Sequence, residues 1–300
     1  MAINRMGRDT LGAFRPTPLG IVAAESGHTP ARARLNHRQA RFAHRLHARP
    51  KDGEGPEEIL DREAAALTTR LRAAASLHPG GTVEAQEWGN RRLFPGQVIV
   101  GSREGALQTA GSWTVTQRPG DTIWADGSRL DCGKVGAVCV WRTPGGWTGR
   151  RFYLGNEGVF DAAVYAISRA PSIIDQRQER GHRYTVFVDS TSAIDRVRSD
   201  SIGPGQCFAV TAIEACARIM SRSNEVSIRW VPAHQGVLGN EKADEYAKAS
   251  AEGGRPGNDV PDEYRWETSL SHMTRVATEA RSQAAAQWIA DRLENPRRKY

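Results

Sequence analysis

Two aspartates stand where a fold can bring them together. Asp126 closes the apolar run Ile123-Trp124-Ala125 and is followed by Gly127-Ser128, while Asp189 closes Val186-Phe187-Val188 and is followed by Ser190. Sites in open α/β sheets are built at the carboxyl ends of strands, so two such residues on neighbouring strands point into one crevice. Either aspartate alone reads equally well as the start of a turn or a helix cap. A third segment gives the set its weight: His234-Gln235-Gly236-Val237-Leu238-Gly239-Asn240-Glu241-Lys242-Ala243-Asp244 follows the strand ending in Trp230-Val231-Pro232 and adds a histidine and another carboxylate. Carboxylates gathered in one crevice repel one another unless cations share it, so the set itself points to metal. Mg²⁺ prefers a few carboxylates together with waters and phosphate oxygens. Phosphodiester hydrolysis charges the attacking water, the phosphoryl oxygens and the leaving oxygen together, and two such ions about 3.5 to 4 Å apart stabilise all of them.

The elements that must hold these residues follow from the hydrophobic pattern. Thr122 to Asp126 and Val135 to Arg142 are strand-like and are separated by turn-rich Gly127-Ser128 to Gly133-Lys134; Arg151 to Leu154 supplies a third strand. Phe160, Ala163, Val164 and Ile167 mark a helix, Tyr184 to Val188 a strand, Pro204 to Met220 a helix, Val226 to Val231 a strand, and Asn240 to Ala251 a helix stopped by Gly253-Gly254. Three strands followed by helix, strand, helix, strand and helix predict an α/β fold: a mixed five-stranded sheet with helices on both faces. Residues 82 to 117 show no sustained periodicity and connect two units. Ser269 to Leu293 is an Ala- and Arg-rich helical pattern after the break Arg255-Pro256-Gly257.

Charge is divided unevenly. Residues 1 to 50 hold nine arginines against Asp9 and Glu25, which is the whole of the chain's net +7. Within it, Leu35, Phe42, Ala43 and Leu46 recur at helical spacing while Arg34, Arg38, Arg41 and Arg45 line another face, giving a basic amphipathic helix from Ala31 to Ala48. Such an arm attracts a polyanion, most often nucleic acid, through phosphate contacts, or is a solvated helix surface. Pro50 to Pro56 reads as a linker, and Pro56 to Leu77 as a second helix with the acidic pair Glu57 and Glu58 at its start. No stretch approaches the roughly 18 to 20 apolar residues of a membrane span, and the first ten residues lack a signal-peptide core, so the expected location is intracellular, cytoplasmic or nuclear. Cys132, Cys139, Cys207 and Cys216 have neither zinc spacing nor a disulfide pattern and read as small buried residues.

The order Asp-Gly-Ser after a first strand, Asp-Ser after a later one, and His-x-Gly-x-x-Gly-Asn-Glu-x-Ala-Asp resembles the type I ribonuclease H pattern over residues 118 to 252. Ile228-Arg229-Trp230-Val231-Pro232-Ala233-His234 and Val159-Phe160-Asp161-Ala162 are similar to the domain at the end of fungal non-LTR retrotransposon reverse transcriptase polyproteins. Residues 1 to 117, through Leu35-Asn36-His37-Arg38-Gln39 and Phe42-Ala43, are similar to the region after the palm in those enzymes; residues 253 to 300 form a helical tail. No polymerase Asp-Asp motif is present. The resemblance implies cleavage of the RNA strand of RNA:DNA hybrids with Mg²⁺, or Mn²⁺ in its place. It makes Asp126, Asp189 and Asp244 metal ligands, and gives His234 a part in proton transfer or product release. Ser128 and Thr191 become contacts to the hybrid.

The same resemblance implies a fourth carboxylate, a Glu on the first long helix, and Ala163 stands at its place. Asp161 lies two positions earlier, about 200° away around a helix of 3.6 residues per turn, and so faces elsewhere. Glu157 precedes the helix. Thr191 stands where many relatives carry Gln. The expectation is a ribonuclease H fold with impaired catalysis; the alternatives are a non-catalytic nucleic-acid-binding module and an inert retrotransposon fragment.

Overall fold

The computed structural model describes residues 33–38, 41, 93–155, 157–200, 203–253 and 270–294. The chain divides into two compact units, one made of Met1–Thr82 with Met273–Tyr300 and the other of Val83–His272.

The Val83–His272 unit is built on a mixed sheet. In chain order its elements are β1 (Gln97–Ile99), α1 (Arg103–Thr116), β2 (Thr122–Arg129), β3 (Val135–Thr143), β4 (Gly146–Tyr153), α2 (Val159–Asp175), β5 (Arg183–Val188), α3 (Thr191–Arg198), α4 (Gln206–Met220), β6 (Glu225–Trp230) and α5 (Leu238–Gly253). The strands lie in the order β1-β6-β5-β2-β3-β4. β2, β3 and β4 pair antiparallel; β5 is parallel to β2, and β6 is parallel to both β5 and β1. Side chains alternate across a strand, and here both faces are buried. Ile123 and Ala125 of β2 join the larger core with Ala163, Ala166 and Ile167 of α2 and Phe208 of α4. Trp124 faces the other way, into a second core with Phe187, Ala110 of α1 and Ala243 and Ala247 of α5. This explains why β2 and β5 read as continuous apolar runs.

Several features depart from the sequence reading. β2 does not end at Asp126 but runs on through Gly127 and Ser128 to Arg129, its pairing with β3 carrying on to Val135. The sheet has six strands, because β1 adds a parallel edge beside β6; three residues are too few to show alternation, and the strand is fixed instead by Gly96, where a Cβ would stand 2.3 Å from the Val226 carbonyl oxygen. Residues 103–116, read as a connection, are a helix whose N-cap Ser102 accepts a hydrogen bond from the Gly105 N–H at 3.2 Å. β4 begins at Gly146, not Arg151, since its pairing with β3 carries on to the Gly146–Thr143 turn. A further short helix, α3, follows Asp189 and is capped by Ser190.

In the other unit, residues 33–38 and 41 are helical. α6 (Leu270–Glu294) supplies its second described segment, and His37 Nε2 meets Thr278 Oγ1 at 3.2 Å. Here Ala33 is buried while Leu35 is 49% exposed, so the apolar side of this helix runs through alanine and not through Leu35 as its spacing predicts. The expected helix Pro56 to Leu77, the linker Pro50 to Pro56 and the break at Arg255 to Gly257 lie outside the described residues. Among the described residues, no helix is long and apolar enough to cross a membrane.

Trp124 ties the second core together: it is 1% exposed, stacks on Phe187 at 4.4 Å, and leaves no room for a Cβ on Gly239 of α5. Trp124→Ala is expected to lower stability by about 3 to 5 kcal/mol, read from urea unfolding followed by far-ultraviolet circular dichroism. A loss below about 1 kcal/mol would show that α5 does not depend on this contact.

Candidate active site

The register of the parallel pair β2 and β5 fixes the site. Ala125 lies opposite Val188, so the next residues, Asp126, which stays within β2 and pairs with Val138 of β3, and Asp189, just past the end of β5, are neighbours in that register. Each is held by backbone as well as by sequence: Asp126 Oδ1 accepts the Gly127 N–H at 2.7 Å, and the indole N–H of Trp230, at the end of β6, donates to the Asp189 carbonyl at 3.0 Å. α5 brings the third carboxylate. Its buried face, Ala243, Ala247 and Ala251, lies against β3 so closely that a Cβ on Gly136 would stand 2.5 Å from both the Ala247 carbonyl oxygen and the Ala251 nitrogen. Asn240, Asp244 and Lys248 follow one another at helical i,i+4 spacing. The Asn240 side chain hydrogen-bonds to the Asp189 carboxylate, and Lys248 Nζ pairs with Asp244 Oδ2 at 2.7 Å.

Electrostatics mark the same group of residues. Burial, then the charge of Asp189, raise the Asp126 carboxyl to about 7; Asp244 adds to the rise, while the Gly127 N–H and Lys248 oppose it. Asp189 is also raised, first by burial, with Asn240 and His234 pulling it back and Asp244 pushing it up. Two carboxylates that hold their protons this firmly share too much negative charge for their surroundings. His234 sits in the exposed loop before α5 in a left-handed conformation (φ 52°), followed by Gly236 (φ 73°), whose N–H is received by Glu241 at 3.1 Å.

The helix that would carry a fourth carboxylate comes close but brings none. Gly127 is where α2 crosses β2: a Cβ there would stand 2.6 Å from the Ala163 nitrogen. Position 163 therefore borders the residue after Asp126, and it offers only a methyl group, 5% exposed. Asp161 is turned to its own helix start, where a Cβ on Gly158 would lie 3.0 Å from Asp161 Oδ2. Glu157 is buried ahead of the helix.

The remaining sequence candidates are more dispersed. Ser128 is half-buried on β2 two residues past Asp126, and Thr191 is exposed at the first turn of α3. Arg34, Arg38 and Arg41 are exposed on the helical segment of the other unit; Arg45 lies outside the described residues. Asn240 and Lys248 are site residues that sequence reasoning misses, although their spacing from Asp244 on one helix is the available signal. Of the cysteines, Cys132 is exposed and the other three are buried.

Among the described residues, the one trio of candidate ligands whose atoms all lie within 4.8 Å is Asp121, Glu179 and His182. It sits at the opposite end of β2, and a resident cation already fills it: the Arg118 guanidinium donates to Glu179 at 3.1 Å and to the His182 ring at 2.7 Å, with Asp121 at 3.7 Å. Asp126, Asp189 and Asp244 stand less tightly gathered than that trio.

Residues 120–252 match the RNase H family model, and that segment is an RNase H domain. Among solved structures, the chain is similar to the N-terminal RNase H domain of a Mycobacterium tuberculosis protein, solved as a fusion with maltose-binding protein. The identity is 18% over 43% of this chain and 97% of that one, with a TM-score of 0.36. No curated protein matches.

The raised Asp126 carboxyl has a consequence for stability. An unfolded aspartate ionises near pH 4, as an order of magnitude, whereas folded Asp126 keeps its proton to about 7. The folded state thus binds more protons between these values, and metal-free stability falls as pH rises from about 4 to about 7. Chemical unfolding at pH 5 and pH 8 in chelator is expected to show this fall, and Asp126→Asn to reduce it. An equal fall in both proteins would show that Asp126 is not the strained group.

Proposed function

We propose that, within residues 120–252, which match the RNase H family model, the crevice between Asp126 of β2 and Asp189 at the end of β5 engages RNA:DNA hybrids and is laid out to hydrolyse the RNA strand, with its activity impaired at Ala163. The observation that carries this reading is the register that sets Asp126 beside Asp189, with Asp244 acting on both. RNase H proteins use divalent metal ions. The donor set here suits one: hard, like-charged oxygen ligands, of which Asp126 and Asp189 are raised first by burial and then by neighbouring negative charge. Asp126, Asp189 and Asp244 would hold Mg²⁺, with Mn²⁺ as a substitute. A bound ion supplies positive charge to the phosphoryl oxygens and acidity to a water.

The chain's own residues do the rest. Asn240 fixes the orientation of the Asp189 carboxylate, and Gly127 fixes that of Asp126. His234, exposed beside Asp189, exchanges a proton with bulk water or eases product release. Ser128 and Thr191 flank the aspartates and take part in shape reading of the hybrid, which depends on 2′-hydroxyls and phosphates. Arg34, Arg38, Arg41 and Arg45 add phosphate contacts without sequence preference. The phrases Ile228 to His234 and Val159 to Ala162 support an origin in a fungal non-LTR retrotransposon polyprotein. In that organisation residues 1–117 serve as a basic arm and connection, 118–252 as the nuclease domain, and 253–300 as a helical tail. A non-catalytic hybrid-binding module is the second reading, and an inert fragment of the polyprotein the third; both are favoured by the methyl group at position 163.

Removal of a metal-contacting carboxylate is expected to slow cleavage by about three factors of ten, each about 1.4 kcal/mol of barrier. The test is cleavage of a labelled RNA strand in a hybrid, with Mg²⁺ and separately Mn²⁺. Ala163→Glu should gain most of that factor, and Asp126→Asn should abolish what the native chain retains. Native and Ala163→Glu proteins cutting equally well would overturn the impairment, and cleavage that survives Asp126→Asn would overturn the site.

A further inference from the structure

Lys248 lies one helical turn beyond Asp244, on the same face of α5. Its ammonium pairs with Asp244 Oδ2 at 2.7 Å, the Lys248 side chain being 50% exposed and that of Asp244 20%. Asp-to-Lys pairs at i,i+4 are common on helix surfaces and ordinarily contribute little. This one differs in reach. The Lys248 charge also acts on Asp126, across from the helix on β2, and Asp126 and Glu241 act on Lys248 in turn. A fixed cation therefore stands at the α5 side of the crevice, on the carboxylate that α5 contributes.

The charge balance of the crevice depends on residues from both helices. At position 163, where α2 crosses β2, the helix brings Ala and no carboxylate to the crevice. With the three aspartates ionised, as a bound cation would hold them, and with Glu241 turned to the Gly236 N–H, the ammonium leaves the aspartates two negative charges, which match one divalent ion and fall short of two. The geometry agrees: Asp126 and Asp189 follow the paired residues Ala125 and Val188, while Asp244 is engaged by Lys248 and the three do not close into a tight cage.

We propose that this crevice takes a single divalent ion, between Asp126 and Asp189, and that the Lys248 ammonium acts at Asp244 as a built-in cation in place of a second one. Lys248 is thus a positioning residue for the metal site, and the inference rests on the reading of Asp126, Asp189 and Asp244 as metal ligands. It also states what the loss of the α2 carboxylate leaves behind: a half-occupied site and not an empty one.

The test is Mn²⁺ titration of the full chain, with free ion read by electron paramagnetic resonance. The native protein should bind one Mn²⁺ in the crevice, removed by Asp126→Asn. Lys248→Gln should bind that ion about three- to tenfold more tightly and admit a second, whereas Lys248→Arg, which keeps the charge, should behave as native. Ala163→Glu combined with Lys248→Gln should bind two. Native protein binding two ions, or Lys248→Gln titrating identically to native, would overturn the role of Lys248 while leaving the aspartate site standing. No Mn²⁺ sensitive to Asp126→Asn in either protein would overturn both. Lys248 is on the surface, so unchanged thermal unfolding of Lys248→Gln without metal confirms that the readout is charge and not folding.

Discussion

Placing Asp126 next to Asp189 is the costly step in this fold, and much of the Val83–His272 unit is arranged around it. Asp126, buried within β2, and Asp189, half-buried just past the end of the parallel strand β5, repel each other, and burial is the first cause that raises both. The register sets their meeting: Ala125 lies opposite Val188, and the next residues are Asp126, within β2, and Asp189, just past β5. What offsets the cost is distributed. Gly127 donates a backbone N–H to one carboxylate, Asn240 a side-chain hydrogen bond to the other, and Lys248 a positive charge from α5. None of these neutralises the pair. A site that remains short of positive charge after its own protein groups have acted is one that a polyanion-bound cation can complete.

The packing that supports the pair depends on close approach from both faces. On one face α2 passes so near Gly127 that no side chain fits there; on the other, α5 lies over Gly136, and Gly239 packs under the Trp124 ring. Small residues at these positions are what allow two helices to deliver their side chains to the same end of the sheet. Position 163 is delivered as faithfully as Asp244 is. Position 163 lies beside Gly127, next to Asp126, and offers a methyl group there.

Much of this was legible in the residues. The strands carrying Asp126 and preceding Asp189, the helix carrying Asp244 and the emptiness of position 163 emerge from apolar runs, from a motif of eleven residues and from helical geometry, whereas the continuation of β2 past Asp126 to Arg129 is hidden by its Gly-Ser pair. Other parts were not legible, for physical reasons. β1 is too short to show a period and is held by backbone proximity at Gly96; β4 opens with glycines, which carry no alternation. α1 mixes Ala, Gly, Thr and Trp over its length, so its cap at Ser102 was clearer than its face. Asn240 and Lys248 were invisible as site residues because their roles arise only when α5 is laid against β2. The Asp121, Glu179 and His182 cluster arises from elements far apart in sequence, and Arg118 shows why its tight geometry is not a metal centre.

The most direct test of the account is where a metal ion binds. Crystals of the protein soaked in Mn²⁺, with the anomalous signal measured at the manganese edge, are expected to show an ion coordinated by the carboxylates of Asp126 and Asp189. An ion found instead among Asp121, Glu179 and His182, or none between the two aspartates at saturating Mn²⁺, would contradict the claim that this crevice is a divalent-metal site.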